Sequence, residues 1–180
     1  DGGWMSSIAE SHRGLNHRRG EPDEFWAAVG DALHEGEQEI PLFRGLNEEQ
    51  SRVLLKTGTV LSCQPRDRLV GEGEPQHELF VVLEGVAEVW RQHDGHRLSL
   101  ALLERGAVFG EMGFLGRSRR SADVIAVTPM RVLVLTQAFL NRSIRHQPDA
   151  AALLLRNLSM VLAERLAQTT DRLWNLRQST

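Results

Sequence analysis

The feature that most constrains the fold of this chain is a series of short β-rich runs between about residues 59 and 135. Glycine or polar residues separate the runs, many of them at a spacing of about 8–12 residues. The runs cover residues 59–63, 68–70, 79–83, 86–91, 97–102, 122–126 and 131–135. His93-Asp94-Gly95 is a hairpin signal between two of them. This pattern predicts a barrel or sandwich, of which a jelly-roll-like β-roll is one form.

Helical patterns come before and after the β-rich region. Before it, the spacing of apolar residues predicts a helix over about 23–34, with Asp23 as its N-cap. A second helix is predicted over 48–56, with Leu54 and Leu55 facing inward. The fold class that we expect is therefore α+β, mainly β, with N-terminal helices in front of the β-roll.

The segment after Thr136 is predicted to be helical again. We expect one helix over 137–146, a break at Pro148 and a long helix over about 149–176. Apolar residues recur three and four positions apart along the long helix, with one polar step at Thr169. The stripe consists of Leu155, Leu158, Leu162, Leu166, Thr169, Leu173 and Leu176. Two interpretations stay open: the stripe packs on its own β-roll, or it forms the seam of a homodimer.

These patterns divide the chain into two parts. Residues 1–22 carry no hydrophobic periodicity and read as a flexible leader. We therefore predict a leader and helical connector over residues 1–38, and a single domain over 39–180. In that domain the β-roll occupies about 59–135 and the C-terminal helices about 137–176.

The composition narrows the function classes. With 41% hydrophobic and 25% charged residues the chain is an ordinary globular sequence, and no apolar run approaches the ~20 residues that span a bilayer. A single cysteine argues against disulfide frameworks and favours a reducing, cytoplasmic location. A net charge of −3 argues mildly against nucleic-acid contact. No metal site or catalytic constellation is evident, so we do not expect an enzyme.

A strand-like run that ends at Phe109-Gly110 is followed by Glu111 and a short helix, and an arginine, Arg120, comes nine positions after the acid. Glu111 can accept a hydrogen bond from a sugar hydroxyl. The N–H groups at the start of the helix point at an anion, and the arginine offers a charge-assisted fork for phosphate oxygens. This combination predicts a sugar-phosphate site.

The segment resembles the phosphate-binding cassette of the cyclic nucleotide-binding domains, which reads F-G-E-hydrophobic-small-hydrophobic, a variable loop and R-[STA]-A-x-V. The resemblance covers about residues 40–176 and includes the segments 41–46, 71–75 and 81–86. It departs from the family pattern at Arg119, where proline is frequent, and at Asp123, where threonine or serine is common.

The resemblance implies a set of ligand-binding residues. The cassette contributes Phe109, Gly110, Glu111, Met112, Gly113, Arg120, Ser121 and Ala122. Strand residues that flank the purine in bacterial catabolite activators correspond to Val89, Leu100 and Leu103, although a plain core role is equally compatible with them. The long helix resembles the activators' helix over residues 164–173 and contributes Arg165, Thr169 and Thr170, the threonines capping the base, one of them from a partner subunit. Trp174 is a rival cap by stacking.

The function that the resemblance implies is a regulatory module that binds a cyclic nucleotide, cAMP ahead of cGMP, and needs no other cofactor. It would transmit a helix rearrangement to an effector, as do modules fused to bacterial transporters, channels or glutaminases. Two alternatives stay open. One is a degenerate β-roll that serves as a dimerisation scaffold. The other is the ligand domain of a transcription regulator whose DNA-binding part lies outside these residues.

Overall fold

The computed structural model describes residues 16–18, 40–75, 77–116 and 119–178. In these residues nine strands form two antiparallel sheets. The strands are β1 (Asn16–Arg18), β2 (Thr59–Cys63), β3 (Arg68–Val70), β4 (Leu79–Glu84), β5 (Ala87–His93), β6 (His96–Leu103), β7 (Val108–Phe109), β8 (Asp123–Ala126) and β9 (Met130–Leu135). One sheet has the order β1-β2-β9-β4-β7 and the other the order β3-β8-β5-β6. This confirms the predicted mainly-β roll.

A short 3₁₀ helix at Pro41–Phe43 and four α-helices complete the described fold. The α-helices are α1 (Glu48–Thr57), α2 (Glu111–Leu115), α3 (Gln137–His146) and α4 (Pro148–Gln178). Thr136 caps α3 by accepting a hydrogen bond from the Phe139 backbone N–H at 3.1 Å. Pro148 is the first residue of α4, where its missing N–H costs nothing. The predicted break between the two C-terminal helices is therefore confirmed.

Most of the N-terminal part for which the sequence makes predictions lies outside the described residues. The helix predicted over 23–34 and most of the predicted leader lie outside the described residues, as do the side chains of Leu54 and Leu55. Strand β1 lies inside the predicted leader and pairs with β2 in the register Asn16 opposite Ser62. The sequence pattern did not predict this strand.

Strands β4 and β9 of the five-stranded sheet are buried on both faces. In β4 and β9, alternate residues such as Phe80 and Val132 face the other sheet, and their neighbours Val81 and Leu133 face the helices. These four side chains are 0% exposed. Burial on both faces explains why these strands read as continuous apolar runs rather than as an alternating pattern.

Helix α4 consists of two halves that differ in burial. Ala150, Leu154 and Leu158 in its first half are buried against the sheet and the 3₁₀ helix. From Leu166 onward its described side chains are exposed. The predicted apolar stripe is therefore divided: its first part packs on the β-roll, as one interpretation expected, and its second part is left uncovered in the single chain.

The buried amide of Asn157 fastens the first half of α4 to the 3₁₀ helix. Its Nδ2 donates to the carbonyl oxygen of Leu42 at 3.1 Å and to that of Arg44 at 2.7 Å. Asn157 itself is 5% exposed. Because buried carbonyls without a donor are costly, this one side chain stabilises the packing of two elements that are far apart in sequence.

No helix in the described ranges is long and apolar enough to cross a membrane.

We expect Asn157→Ala to lower the free energy of unfolding by about 1–3 kcal/mol, because it leaves two carbonyl oxygens without their donor. Urea denaturation monitored by circular dichroism measures this. Asn141→Ala is the matched control, since Asn141 lies exposed on α3 and the same change removes no buried hydrogen bond. Equal midpoints for the two variants would contradict the anchoring role of Asn157.

Candidate functional site

A cavity of about 200 Å³ lies between the four-stranded sheet, α2 and α4. It brings together most of the residues predicted from the sequence. Those that line it are Val89, Leu103, Phe109, Gly110, Glu111, Met112, Gly113, Arg120, Ser121, Ala122 and Arg165. Four further residues line it that the prediction did not include, namely Val70, Ala101, Arg119 and Val124.

Leu100 does not line the cavity in the single chain. It is 43% exposed, whereas Ala101 and Leu103 on the same strand line the cavity. Side chains alternate between the two faces of a strand, so Leu100 and Leu103, three positions apart, lie on different faces. A register shift in the β5–β6 pair leaves Leu100 without a residue directly opposite it on β5. Contact between Leu100 and a purine stays a prediction.

Thr169 and Thr170 do not line the cavity in the single chain. Both are exposed, and their hydroxyls donate to backbone carbonyls one turn earlier, those of Arg165 at 2.8 Å and Leu166 at 2.9 Å. Trp174 is exposed as well, at 65%. Contact between either threonine and a base, from this chain or from a partner subunit, stays a prediction.

Arg120 is the most buried charged group of the cavity. The residue is 6% exposed. Its Nη1 donates to the Gly110 carbonyl at 2.8 Å and its Nη2 to the Glu78 carbonyl at 2.8 Å. The Glu78 carboxylate lies 3.5 Å from Nη2. Nε is buried and has no hydrogen-bond partner among the described residues. These contacts hold the guanidinium in place and leave the Nε N–H without an acceptor among the described residues.

Burial lowers the pKa of Arg120 below its ordinary value, and the carboxylates of Glu78, Glu111 and Glu74 act against this shift. An arginine side chain keeps its proton under these conditions. The site therefore contains a desolvated positive charge. The attraction between such a charge and an anion is stronger than the attraction between a solvent-exposed positive charge and the same anion.

The backbone around Arg120 is fastened to the turn between β3 and β4. The Gly73 N–H donates to the Arg120 carbonyl at 2.8 Å, and the Arg120 N–H donates to the Glu74 carbonyl at 3.1 Å. Arg119 Nη1 donates to the Gly73 carbonyl at 2.8 Å. The Glu74 carboxylate in turn accepts from the N–H of Gly71 at 3.2 Å. These bonds make the turn a support for the arginine.

Glu111, the acid at the start of α2, is paired with Arg165 of α4. Arg165 Nη1 lies 3.1 Å from Glu111 Oε1, and its Nη2 donates to the Val108 carbonyl. Side-chain exposure is 40% for Arg165 and 14% for Glu111. The carboxylate at the cavity is therefore already engaged, by a residue of the C-terminal helix.

Helix α2 is also joined to α3. Gln137, the first residue of α3, donates from Nε2 to the Phe114 carbonyl at 3.0 Å. On the other side, His77 Nδ1 lies 3.2 Å from the Gly113 carbonyl. Both C-terminal helices thus contact the segment that carries Glu111, so displacement of α2 bears on both.

Comparisons with known proteins agree with this geometry. The model of the family described as "cyclic nucleotide-binding domain" matches residues 60–147. Glutaminase 2 of Bradyrhizobium diazoefficiens is 35% identical over 138 residues, which is 77% of this chain and 21% of that protein. The cyclic AMP receptor protein of Thermus thermophilus is 32% identical over 129 residues, 71% of this chain and 58% of that protein. The chain thus spans from about a fifth to about three fifths of the length of these relatives.

Solved structures show the same fold. A cyclic nucleotide-binding domain from Methylobacillus flagellatus superimposes with a TM-score of 0.76 at 24% identity, covering 89% of this chain and 88% of its own. The Thermus thermophilus catabolite activator protein superimposes with a TM-score of 0.67 at 31% identity, covering 76% and 63%. The two-sheet roll, the cavity with its buried arginine and the matched relatives lead to one conclusion: residues 60–147 of this chain form a domain of the cyclic nucleotide-binding family.

Proposed function

We propose that this chain senses a cyclic nucleotide, cAMP in preference to cGMP, and transmits its binding through α4 to an attached or partner effector. The observation that carries the proposal is Arg120, a cavity-lining residue whose guanidinium is buried and whose Nε has no hydrogen-bond partner among the described residues. A cyclic phosphate supplies the acceptor that this N–H lacks, and its negative charge adds to the attraction. Since an unsatisfied buried donor is costly, ligand binding there is favourable.

The apolar part of the cavity suits a nucleoside. Val70, Val89, Leu103 and Val124 line it opposite the charged groups. Aliphatic side chains that pack against a purine exclude water from its faces. Polar groups at the other end of the cavity fix the orientation of the nucleotide. The preference for cAMP rests on Ser121, which lines the cavity where several cGMP receptors of the family carry threonine. It is also supported by the name of the Thermus relative, a cyclic AMP receptor protein.

The route of transmission that we propose runs through Glu111. A ribose hydroxyl that donates to this carboxylate competes with Arg165, which occupies it at 3.1 Å. Loss of that ion pair frees the exposed half of α4 to take a different position relative to the β-roll. Coupling of this kind is typically worth about 1–3 kcal/mol.

The effector and the assembly are further parts of the proposal. Relatives such as the Bradyrhizobium glutaminases are much longer than this chain, so we propose that an effector of this type is attached or bound. The exposed second half of the stripe on α4, which includes Leu166, Leu173 and Leu176, favours a homodimer through that helix. The lone cysteine favours a cytoplasmic location.

The central test is calorimetric titration of the chain with cAMP and, separately, with cGMP. We expect wild-type protein to bind cAMP more tightly, and Arg120→Ala to weaken binding by about 30-fold or more, because it removes a charge-assisted hydrogen bond. Arg145→Ala is the control, since Arg145 lies exposed on α3. Folded wild-type protein that binds neither nucleotide would contradict the sensor and favour the scaffold alternative.

Gly110→Ala tests whether the position of Arg120 matters. At Gly110 (φ +82°) an added Cβ would lie 2.4 Å from Arg120 Nη1 and 2.6 Å from the Glu78 carbonyl oxygen. We expect nucleotide binding to be lost, because the guanidinium must move away. Gly95→Ala has nearly the same backbone strain, with φ +77° and no atom within 4 Å, and should bind as wild type. Calorimetry of both variants makes the comparison, and equal affinities would show that Arg120 tolerates displacement.

A further inference from the structure

We propose that Arg119 is a second phosphate-facing cation of the cavity, one that acts through its charge and determines how strongly the site attracts an anionic ligand. The inference rests on the proposed function. It starts from the charges of the cavity lining, which contains the guanidinium groups of Arg119, Arg120 and Arg165 but one carboxylate, that of Glu111.

Two of the three arginines are already paired with carboxylates. Arg165 lies 3.1 Å from Glu111, and Arg120 lies 3.5 Å from Glu78. Arg119 forms no ion pair with any carboxylate in the part of the chain that the structure describes. With Glu111 assigned to Arg165, and Glu78 from outside the lining assigned to Arg120, the remaining positive charge beside the cavity belongs to Arg119.

A hydrogen bond holds this charge beside the cavity. Nη1 of Arg119 donates to the carbonyl oxygen of Gly73 at 2.8 Å, although the side chain as a whole is exposed. A guanidinium has five N–H donors, so most of them stay available for an anion. The Gly73 N–H in turn donates to the Arg120 carbonyl at 2.8 Å. These hydrogen bonds attach Arg119 and Arg120, which are adjacent in the chain, to the turn that contains Gly73.

An exposed cation and a buried one contribute to affinity in different ways. The attraction between a phosphate and the exposed Arg119 passes partly through water, so salt weakens it. Arg120 is desolvated, so its attraction to the same phosphate is less screened. Arg119 should accordingly account for a modest part of the affinity, and for a part that disappears as salt is raised.

Three variants separate charge from hydrogen bonding. Arg119→Gln keeps an N–H donor for the Gly73 carbonyl and removes the charge, whereas Arg119→Lys keeps the charge. Arg156→Gln is the control, because Arg156 lies exposed on α4, does not line the cavity and carries the same charge. Each protein is titrated with cAMP at an NaCl concentration below physiological ionic strength and at one above it. Circular dichroism checks that each variant is folded.

We expect Arg119→Gln to weaken cAMP binding about 3- to 10-fold at low salt, and the difference from wild type to shrink at high salt. Arg119→Lys should stay within about twofold of wild type, since it retains the charge. Arg156→Gln should bind as wild type does.

Two results would overturn the inference while the proposed function stands. In one, Arg119→Gln binds cAMP as tightly as Arg156→Gln does. In the other, Arg119→Gln and Arg119→Lys lose affinity equally at both salt concentrations, which would assign Arg119 a purely structural role. If folded wild-type protein binds neither cAMP nor cGMP, the proposed function fails and this inference fails with it.

Discussion

The constraint on which the rest of the site depends is the burial of the Arg120 guanidinium. A charge taken out of water is costly unless polar groups surround it. Here the carbonyl oxygens of Gly110 and Glu78 and the carboxylate of Glu78 supply that surrounding. A Cβ at Gly110 would lie 2.4 Å from Nη1, so a side chain at this position would displace the guanidinium. The backbone bonds of Gly73 and Glu74 then fix the segment that carries the arginine. The Nε N–H has no acceptor among the described residues.

The two-sided burial of strands β4 and β9 in the five-stranded sheet gives this arrangement a rigid base. The first half of α4 packs on one face of that sheet, and the amide of Asn157 fastens it to the 3₁₀ helix. The second half has few buried contacts, with Leu166 and Leu173 largely exposed. Segments with few buried contacts rearrange at low cost, while the packed half resists movement. The buried first half of α4 therefore supports the cavity, and the exposed second half is free to move when a ligand binds.

Much of this could be predicted from the sequence, and the failures have physical causes. The β-rich runs identified strands such as β4 and β9, and the spacing of Glu111 and Arg120 identified the cavity. Strand β1 was missed because Asn16–Arg18 has no apolar alternation. Leu100 was included because of the family resemblance, but strand residues three positions apart face opposite sides of a sheet, and Leu103 is the one that lines the cavity. The roles of Gly73 and Arg119 depend on hydrogen bonds between segments that are far apart in sequence, which a local pattern cannot report.

The burial of the two charged pairs at the cavity indicates which of them can act as a switch. The pair of Arg120 and Glu78 has side-chain exposures of 3% and 10%, so breaking it would strand a charge away from water. The pair of Arg165 and Glu111 is more open, at 40% and 14%, and water can solvate the arginine once it is released. A ligand hydroxyl that takes over Glu111 therefore replaces a weak interaction with one of similar strength. In the proposed mechanism Arg120 anchors the ligand, and Arg165 reports its arrival to α4.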